Sequence, residues 1–289
     1  MRGKPHVHAR RFVSHAHHWC LRGRSSGGTL LPVRGPTIIV EEITGGTAPE
    51  RIAVAAVDAA SCRAASTLRS CDRVELVPAG HPAARAQLSL ERSPAMVLVA
   101  GDARIEGCAR NLLGVRQPGV LTVAVVAVES LRASTQLGPL ARGFDAVLPV
   151  VVPRAGDAEV PLARALAAVT AFATADCVSM PIDEVYPFFV GGEQLTWGMA
   201  EGDDVVEAAA LALAEARLGK AKRHGLRMLL HVETSLHDLM RDLQLAAYVV
   251  HRTVGVVDFG PTASVSLGAR KRVSLVATAA RPRARGGAA

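Results

Sequence analysis

The strongest constraint on the fold lies between Trp197 and Thr278, where strand-like and helix-like segments follow one another in a distinctive order. A strand at Trp197 runs through two glycines into an Ala-rich helix that begins near Val205. The segments that follow are predicted as a strand, a helix and two further strands: Leu226–Val232, Ser235–Tyr248, Val254–Val257 and Arg272–Thr278. This order predicts an α/β unit with the sheet on one side and both helices packed against it.

The first helix of this unit carries signals at both ends. In the run Asp204-Val205-Val206-Glu207, the Asp side chain can accept a hydrogen bond from an unpaired backbone N–H, and Glu207 can reach back. Gly219 follows the apolar run and suits the left-handed residue at which many helices end. We therefore predict a capped helix that ends just before Gly219.

The N-terminal half predicts a different kind of sheet. Two of its apolar runs, Ala95–Ala100 and Val120–Val128, show no alternation of apolar and polar residues, which is typical of strands covered on both faces. A mostly parallel, Rossmann-like sheet with helices on both sides follows from this pattern, and such sheets bind ligands at the carboxyl ends of their strands. The other candidate strands are Thr37–Val40, Ile52–Val57 and Val74–Val77.

A helix over Pro161–Ala173 is predicted between the two halves. Pro161 suits the first helical position, with Asp157 and Glu159 ahead of it. One apolar stripe runs along the helix and contains Leu162, Leu166, Val169 and Ala173.

The formal net charge of +7 comes from the two ends of the chain. Residues 1–40 contain seven Lys or Arg and no acidic residue, and residues 281–289 add three Arg, so the rest of the chain is slightly acidic. We expect no nucleic-acid binding beyond weak contacts of the tails. The histidines of the first tail are interpreted as incidental, so no metal site is predicted, although the Arg-rich tail also fits an organellar targeting segment.

The remaining composition indicates a reduced, non-membrane setting. The five cysteines are scattered without a paired CxxC motif, which is typical of a cytoplasmic protein. The longest apolar runs are too short to span a bilayer, so no membrane insertion is predicted.

The stretch that constrains the fold also resembles the C-terminal domain of FtsZ, the bacterial member of the tubulin superfamily. That family has a strand ending in Gly-x-Ala-x-Gly before an Ala-rich helix, and this chain has Gly198-Met199-Ala200-Glu201-Gly202. Two later strands of the family are matched in order by Gly225-Leu226-Arg227-Met228-Leu229-Leu230-His231-Val232 and by Arg272-Val273-Ser274-Leu275-Val276-Ala277-Thr278-Ala279.

The resemblance continues into the N-terminal half. Residues 52–59 are similar to the second FtsZ strand, 79–82 to the Ala-Gly-Ala-Asn-Pro loop, 95–101 to the strand before the phosphate loop, and 120–126 to the strand after it. The helix at 161–173 resembles the central helix that joins the two FtsZ domains.

The residues that bind nucleotide in the family are altered here. Where FtsZ has Gly-Gly-Gly-Thr-Gly-Thr-Gly, whose backbone N–H groups hold the phosphates, this chain has Gly101-Asp102-Ala103-Arg104-Ile105-Glu106-Gly107-Cys108. Gly101, Arg104 and Gly107 are the remnant of that loop and our candidate nucleotide-binding residues. The family's first Gly-rich turn is also missing, with Thr44–Thr47 as a poor substitute.

The family's catalytic loop is altered as well. FtsZ has Asn-x-Asp-x-x-Asp after the central helix, and its carboxylates orient the attacking water in the neighbouring subunit's site. The aligned residues here are Ser179-Met180-Pro181-Ile182-Asp183-Glu184. Asp183 and Glu184 are therefore the candidate catalytic residues, as a remnant of that loop, while a polar loop with no catalytic role is the simpler interpretation.

Taken together, the resemblance implies a divergent FtsZ-like fold in five segments. These are a disordered basic tail (1–36), a degenerate GTPase-type domain (37–160), a connecting helix (161–176), a smaller C-terminal two-layer α/β sandwich (177–280) and a basic tail (281–289).

The corresponding function is that of a cytoplasmic cell-division or cytoskeletal protein, placed at the septum, that assembles head-to-tail with itself or modulates filaments of an FtsZ-type partner. The altered loops predict a catalytically impaired pseudo-GTPase that binds no cofactor. If the family activity survives, the expected cofactor is GTP. Two alternatives stay open: a divergent but active, polymer-forming GTPase, and an unrelated Rossmann-like ligand-binding protein.

Overall fold

The computed structural model describes residues 10–12, 40–42, 51–78, 94–102, 105, 119–130, 137, 140, 143–152, 157–189, 195–218, 226–266 and 268–279. Its helices are α1 (Ala59–Ser66), α2 (Glu159–Thr174), α3 (Ile182–Phe189), α4 (Val205–Glu215) and α5 (Leu239–Thr253). Its strands are β1 (Arg10–Phe12), β2 (Val40–Glu42), β3 (Ile52–Ala56), β4 (Val74–Pro78), β5 (Met96–Gly101), β6 (Leu121–Val128), β7 (Ala146–Val151), β8 (Val178–Ser179), β9 (Thr196–Gly202), β10 (Leu226–Thr234), β11 (Val256–Val265) and β12 (Lys271–Ala279).

In the described part of the N-terminal half, five parallel strands form one sheet in the order β4-β3-β5-β6-β7. Both of its faces are buried. Leu98 and Val123 belong to a core shared with α1 and α2, whereas Val99 and Val126 on the opposite face pack with Ile105, Leu137 and Leu140. The continuous apolar runs of β5 and β6 are thereby explained, and the predicted Rossmann-like sheet is confirmed.

The C-terminal sheet has the order β2-β1-β8-β11-β10-β12-β9. Helices α4 and α5 cover one of its faces, as predicted, through a core that includes Met228 and Leu230. The alternate residue Leu229 points the other way, into the core shared with α2 and α3. Helix α4 lies so close to β9 that a Cβ on Gly198 would come within 2.0 Å of the carbonyl oxygen of Ala212.

Helix α2 lies between the two sheets. Leu162, Leu166, Val169 and Phe172 are fully buried, in one core with residues of both sheets. The helix begins at Glu159, so Pro161 is its third residue and not the first as predicted. Proline is still tolerated there because the first turn of a helix makes no use of its N–H groups.

Several predicted boundaries in the C-terminal half require correction. Helix α4 ends at Glu215, and the residue with left-handed backbone is Arg217 (φ 51°), while Gly219 lies outside the described residues. Helix α5 begins four residues later than predicted because Ser235 and Asp238 form a turn closed by their side chains. Strand β11 extends to Val265 because it pairs with β10 along the whole length of that strand.

Part of the segment predicted as a disordered tail forms strand β1. Arg10–Phe12 pair in parallel with β8 and antiparallel with β2, which supplies partners for the backbone groups of β8. Of the predicted strand Thr37–Val40, the structure describes Val40, the first residue of β2. The rest of the tail and residues 281–289 lie outside the described residues.

The sequence analysis also missed whole elements, namely α1, β7, β8 and α3. Val97–Ala100 and Val273–Thr278 lie in different sheets, as a chain with two domains requires. The residue limits of the domains stay a prediction. Among the described residues, no helix is long and apolar enough to cross a membrane.

His231 on β10 is a buried polar side chain between the C-terminal sheet and α2. It is 3% exposed, its Nδ1 lies 2.9 Å from Oγ1 of Thr262, and its ring meets that of Phe172 edge-on at 6.2 Å. Burial lowers the pKa of His231 to about 4, with Asp176 raising it and Arg272 lowering it further. The folded chain therefore strongly favours the neutral imidazole.

This burial predicts a pH-dependent stability. Between pH 6.5 and about 4 the unfolded chain binds a proton at His231 that the folded chain does not. The contribution is fully present above pH 6.5, and roughly 3 kcal/mol of unfolding free energy is lost as the pH falls to about 4. Urea unfolding of His231→Gln across this range should show a flatter pH dependence than the parent. The exposed His237→Gln variant is the control, and an unchanged slope in His231→Gln would refute the assignment.

Candidate functional site

The strand order of the N-terminal sheet marks one crevice as the candidate ligand site. From β3 the chain adds β4 on one side of the sheet and then β5, β6 and β7 on the other side. The direction of strand addition therefore reverses between β3 and β5. Open parallel sheets bind ligands outside the carboxyl ends of the strands at such a switch point. The turn after β3 and the residues Gly101 and Asp102 at the end of β5 form this crevice.

Asp58 is the central side chain of the crevice. It caps α1: its Oδ1 accepts from the N–H of Ser61 at 2.8 Å, and its own N–H donates to Oγ of Ser61 at 3.0 Å. Its other oxygen, Oδ2, accepts from the N–H of Asp102 at 3.1 Å. One carboxylate thus bonds to backbone donors from both turns of the crevice.

The electrostatic consequence follows from where those donors lie. A helix N-terminus attracts anions because its N–H groups are unpaired and the helix dipole is positive there. At α1 this position is taken by the charge of Asp58. A phosphate entering the crevice would have to displace the carboxylate from its two backbone donors and would lie against its charge.

Gly101 is packed too closely against the turn after β3 to carry a side chain without a shift of its neighbours. A Cβ at this position would lie 3.1 Å from Cβ of Val57 and 3.3 Å from Oδ2 of Asp58, which is closer than ordinary contacts. The glycine therefore allows β5 to end against the turn after β3. The other two candidate nucleotide-binding residues, Arg104 and Gly107, lie outside the described residues.

Asp58 was missed as a site residue because residues 52–59 were matched to a second strand of the family. The structure places this strand beside β5, so the turn that follows it is the βα turn at the switch point. The signal was present in the sequence, since Asp58-Ala59-Ala60-Ser61 after an apolar strand resembles a helix capping pattern. Thr44–Thr47, proposed as a substitute turn, lie outside the described residues.

The candidate catalytic residues lie on another part of the fold. Asp183 is exposed and Glu184 half-buried in the first turn of α3, which follows β8 of the C-terminal sheet. The N–H of Glu184 donates to the carbonyl of Pro181 at 2.9 Å. Acidic residues in this position stabilise a helix through its dipole, so their placement has a structural explanation. Within the described residues no group of three His, Cys, Asp or Glu side chains could hold a metal ion.

Known proteins resemble this chain in their three-dimensional structures but not detectably in sequence. No family model matches the sequence, and no curated protein matches it. Solved structures do match. An empty FtsZ dimer from M. jannaschii is 17% identical with a TM-score of 0.64, covering 79% of this chain and 88% of FtsZ.

Two further matches come from other branches of the same fold. CetZ2 from Haloferax volcanii, solved as a GTPγS-bound protofilament, is 14% identical with a TM-score of 0.55 over 81% of this chain and 94% of CetZ2. TubZ from Bacillus thuringiensis serovar israelensis, solved as GDP-form protofilaments, is 9% identical with a TM-score of 0.53 over 81% of this chain and 88% of TubZ.

These likenesses establish the architecture. The chain has the fold of the tubulin and FtsZ superfamily across about four fifths of its length. The predicted fold class is confirmed: the fold consists of two sheets that share a core with α2.

Because the Asp58 carboxylate both caps α1 and accepts from the N–H of Asp102, its loss should cost more stability than the loss of an ordinary helix cap. Asp58→Ala removes both the α1 cap and the acceptor for the Asp102 N–H, so it should cost about 2 kcal/mol of unfolding free energy. Asp204→Ala is the matched control: Asp204 caps α4 by accepting from the N–H of Glu207 at 2.8 Å, and about 1 kcal/mol is expected there. Urea unfolding measures both, and equal losses would show that the bond to Asp102 contributes nothing.

Proposed function

We propose that this chain is an FtsZ-like cytoskeletal protein that has given up tight GTP binding and acts by assembling with filaments or modulating them. The observation that carries the proposal is the Asp58 carboxylate, which bonds to the N–H of Ser61 and the N–H of Asp102 at the switch point. Backbone donors that could receive a phosphate there already hold an anion of the chain itself.

The comparison structures supply the contrast. CetZ2 holds GTPγS in a protofilament, and TubZ forms protofilaments in its GDP form. In this chain the same fold carries an aspartate in the crevice and Gly101-Asp102 where the family has a run of glycines. In the proposed function the chain therefore keeps the fold and has lost nucleotide binding.

Loss of hydrolysis belongs to the same proposal. Pro181 replaces the first carboxylate of the family loop, and Asp183 and Glu184 serve the N-terminus of α3. Restoring glycines near Gly101 should therefore not restore turnover, because the attacking water would still lack its positioning carboxylate.

The proposed partner surface is inferred from the two faces that meet when members of the family assemble into filaments. A head-to-tail contact joins the crevice face of one subunit to the loop after the central helix of the next, and such heterologous contacts propagate filaments. With the Asp58 carboxylate on its backbone donors, the crevice face is proposed to bind no nucleotide, which leaves the face at α3 as the proposed docking face. We propose that the α3 face docks onto an FtsZ-type partner that brings its own GTP, in the cytoplasm at the division site, or onto a second copy.

Co-sedimentation with a polymerising FtsZ and GTP tests the role. The parent chain should pellet with the polymer or change its yield. Glu184→Arg should reduce this binding about tenfold or more, because it reverses a charge on the docking face. The matched control is Glu207→Arg, an exposed glutamate in the first turn of α4, which should bind as the parent does.

Two outcomes would reject the filament role. One is a chain that neither pellets with the polymer nor changes its yield. The other is equal binding by the parent and both Glu→Arg variants, since binding would then not involve the α3 face. Saturable GTP hydrolysis by the chain alone would instead favour a divergent active GTPase. The fold assignment stands in each case.

A further inference from the structure

Among the described strands, β9 is an outer strand of the C-terminal sheet, with β12 as its one neighbour. An outer strand presents backbone N–H and C=O groups that can pair with another chain, and proteins protect such edges by specific devices. At the start of β9 the protection comes from the other sheet, because the N–H of Leu195 donates to the carbonyl of Val147 at 2.9 Å. The outward backbone groups in the middle of β9 have side-chain partners instead.

The middle of β9 is closed by an ion pair. Glu215, the last residue of α4, accepts from the N–H of Met199 at 2.7 Å. Arg164 of α2 donates to the carbonyl of Met199 and pairs with the Glu215 carboxylate at 2.8 Å. We call this set, Arg164, Glu215 and the backbone of Met199, the edge clasp.

The two side chains of the edge clasp come from opposite faces of the sheet. Helix α4 packs on the face that contains Met228 and Leu230, whereas α2 packs on the face that contains Leu229. The Arg164–Glu215 pair therefore passes around the outer side of β9. Both backbone groups of Met199 that face away from β12 receive a partner from the same chain.

We propose that the edge clasp is an autoinhibitory contact that keeps β9 from pairing with β9 of a second copy of this chain. Strand addition needs the outward N–H and C=O groups of the edge, and the clasp occupies both groups at Met199. A second copy is the natural occupant, because two identical edges can pair antiparallel about a twofold axis with the same residues on each side. The Arg164 and Glu215 side chains are 41% and 30% exposed, so the clasp can open without unfolding the core.

The clasp thus concerns a surface other than the crevice and the α3 face of the proposed filament contact. It directs association away from the sheet edge, and its release would convert that edge into a dimer interface. A purely structural clasp, which only ties α2 to α4, would predict lower stability without any new association.

Sedimentation velocity of the full chain over a range of concentrations distinguishes these roles. Glu215→Met removes the acceptor for the Met199 N–H and should raise the association constant at least about tenfold. Glu215→Gln keeps an oxygen that can accept and should sediment as the parent does. Arg63→Met is the matched control, because it breaks the exposed Arg63–Glu159 ion pair at the other side of α2 without touching β9.

Hydrogen exchange at the Met199 amide gives the second readout. At low concentration this amide should exchange faster in Glu215→Met than in the parent, and at high concentration its protection should return as β9 pairs. Should Glu215→Met fail to fold, Arg164→Met, which keeps the Glu215–Met199 bond, should show the same association more weakly. The proposal is overturned if the folded variants associate no more than the parent, or if Arg63→Met and Glu215→Gln associate as strongly as Glu215→Met.

Discussion

The structure depends on the burial of α2 between two sheets. Its Leu162, Leu166 and Phe172 are fully buried, and they share one core with Leu98 of the N-terminal sheet and Leu229 of the C-terminal sheet. A helix buried on several sides has to be apolar around most of its circumference, which the run of Ala, Leu and Val provides. Since aromatics make up only 3% of the chain, close packing relies on small residues, such as Gly198 of β9 against α4.

Because α2 shares one core with residues of both sheets, the architecture does not depend on the polar groups of the crevice. The sheets and α2 are held by apolar burial that extends to Ala56 and Ala100 near the ends of β3 and β5, whereas the bond between the Asp58 carboxylate and the N–H of Asp102 lies just beyond them. A carboxylate in the crevice is therefore compatible with the architecture. Asp58 also has an advantage over any free anion, because a side chain of the same chain loses no translational freedom on binding.

Sequence patterns predicted the elements that local signals determine. The order from β9 to β12 follows from apolar runs and the Asp204 cap, and the burial of β5 and β6 on both faces follows from their unbroken apolar runs. Where glycine or proline interrupts a strand, the strand was missed, as β7 was, or its end was misplaced, as that of β11 was. Pro149 in β7 is tolerated because β7 is the last strand of its sheet, and Gly260-Pro261 lie within β11, where Gly260 packs against Leu229 and Met180.

The site was harder to predict because its contacts join distant parts of the chain. The bond from Asp102 to Asp58 depends on the order in which the strands pack, which no local pattern contains. The same holds, outside the site, for the Arg164–Glu215 pair of the edge clasp. Asp58 was visible as a helix cap, but its position at the switch point became clear only when β3 was seen beside β5. The resemblance identified the fold correctly, whereas the position of this turn followed only from the observed strand order.

Isothermal titration calorimetry of the purified full chain with Mg²⁺ and GTP measures directly whether the crevice is available to nucleotide. With the Asp58 carboxylate on the backbone donors of the crevice, we expect no saturable binding up to about 1 mM GTP, equivalent to a binding free energy weaker than about −4 kcal/mol. A saturable, stoichiometric interaction with a Kd of about 10 μM or tighter would contradict it. Such a result would mean that the Asp58 carboxylate leaves the backbone donors of the crevice when nucleotide binds.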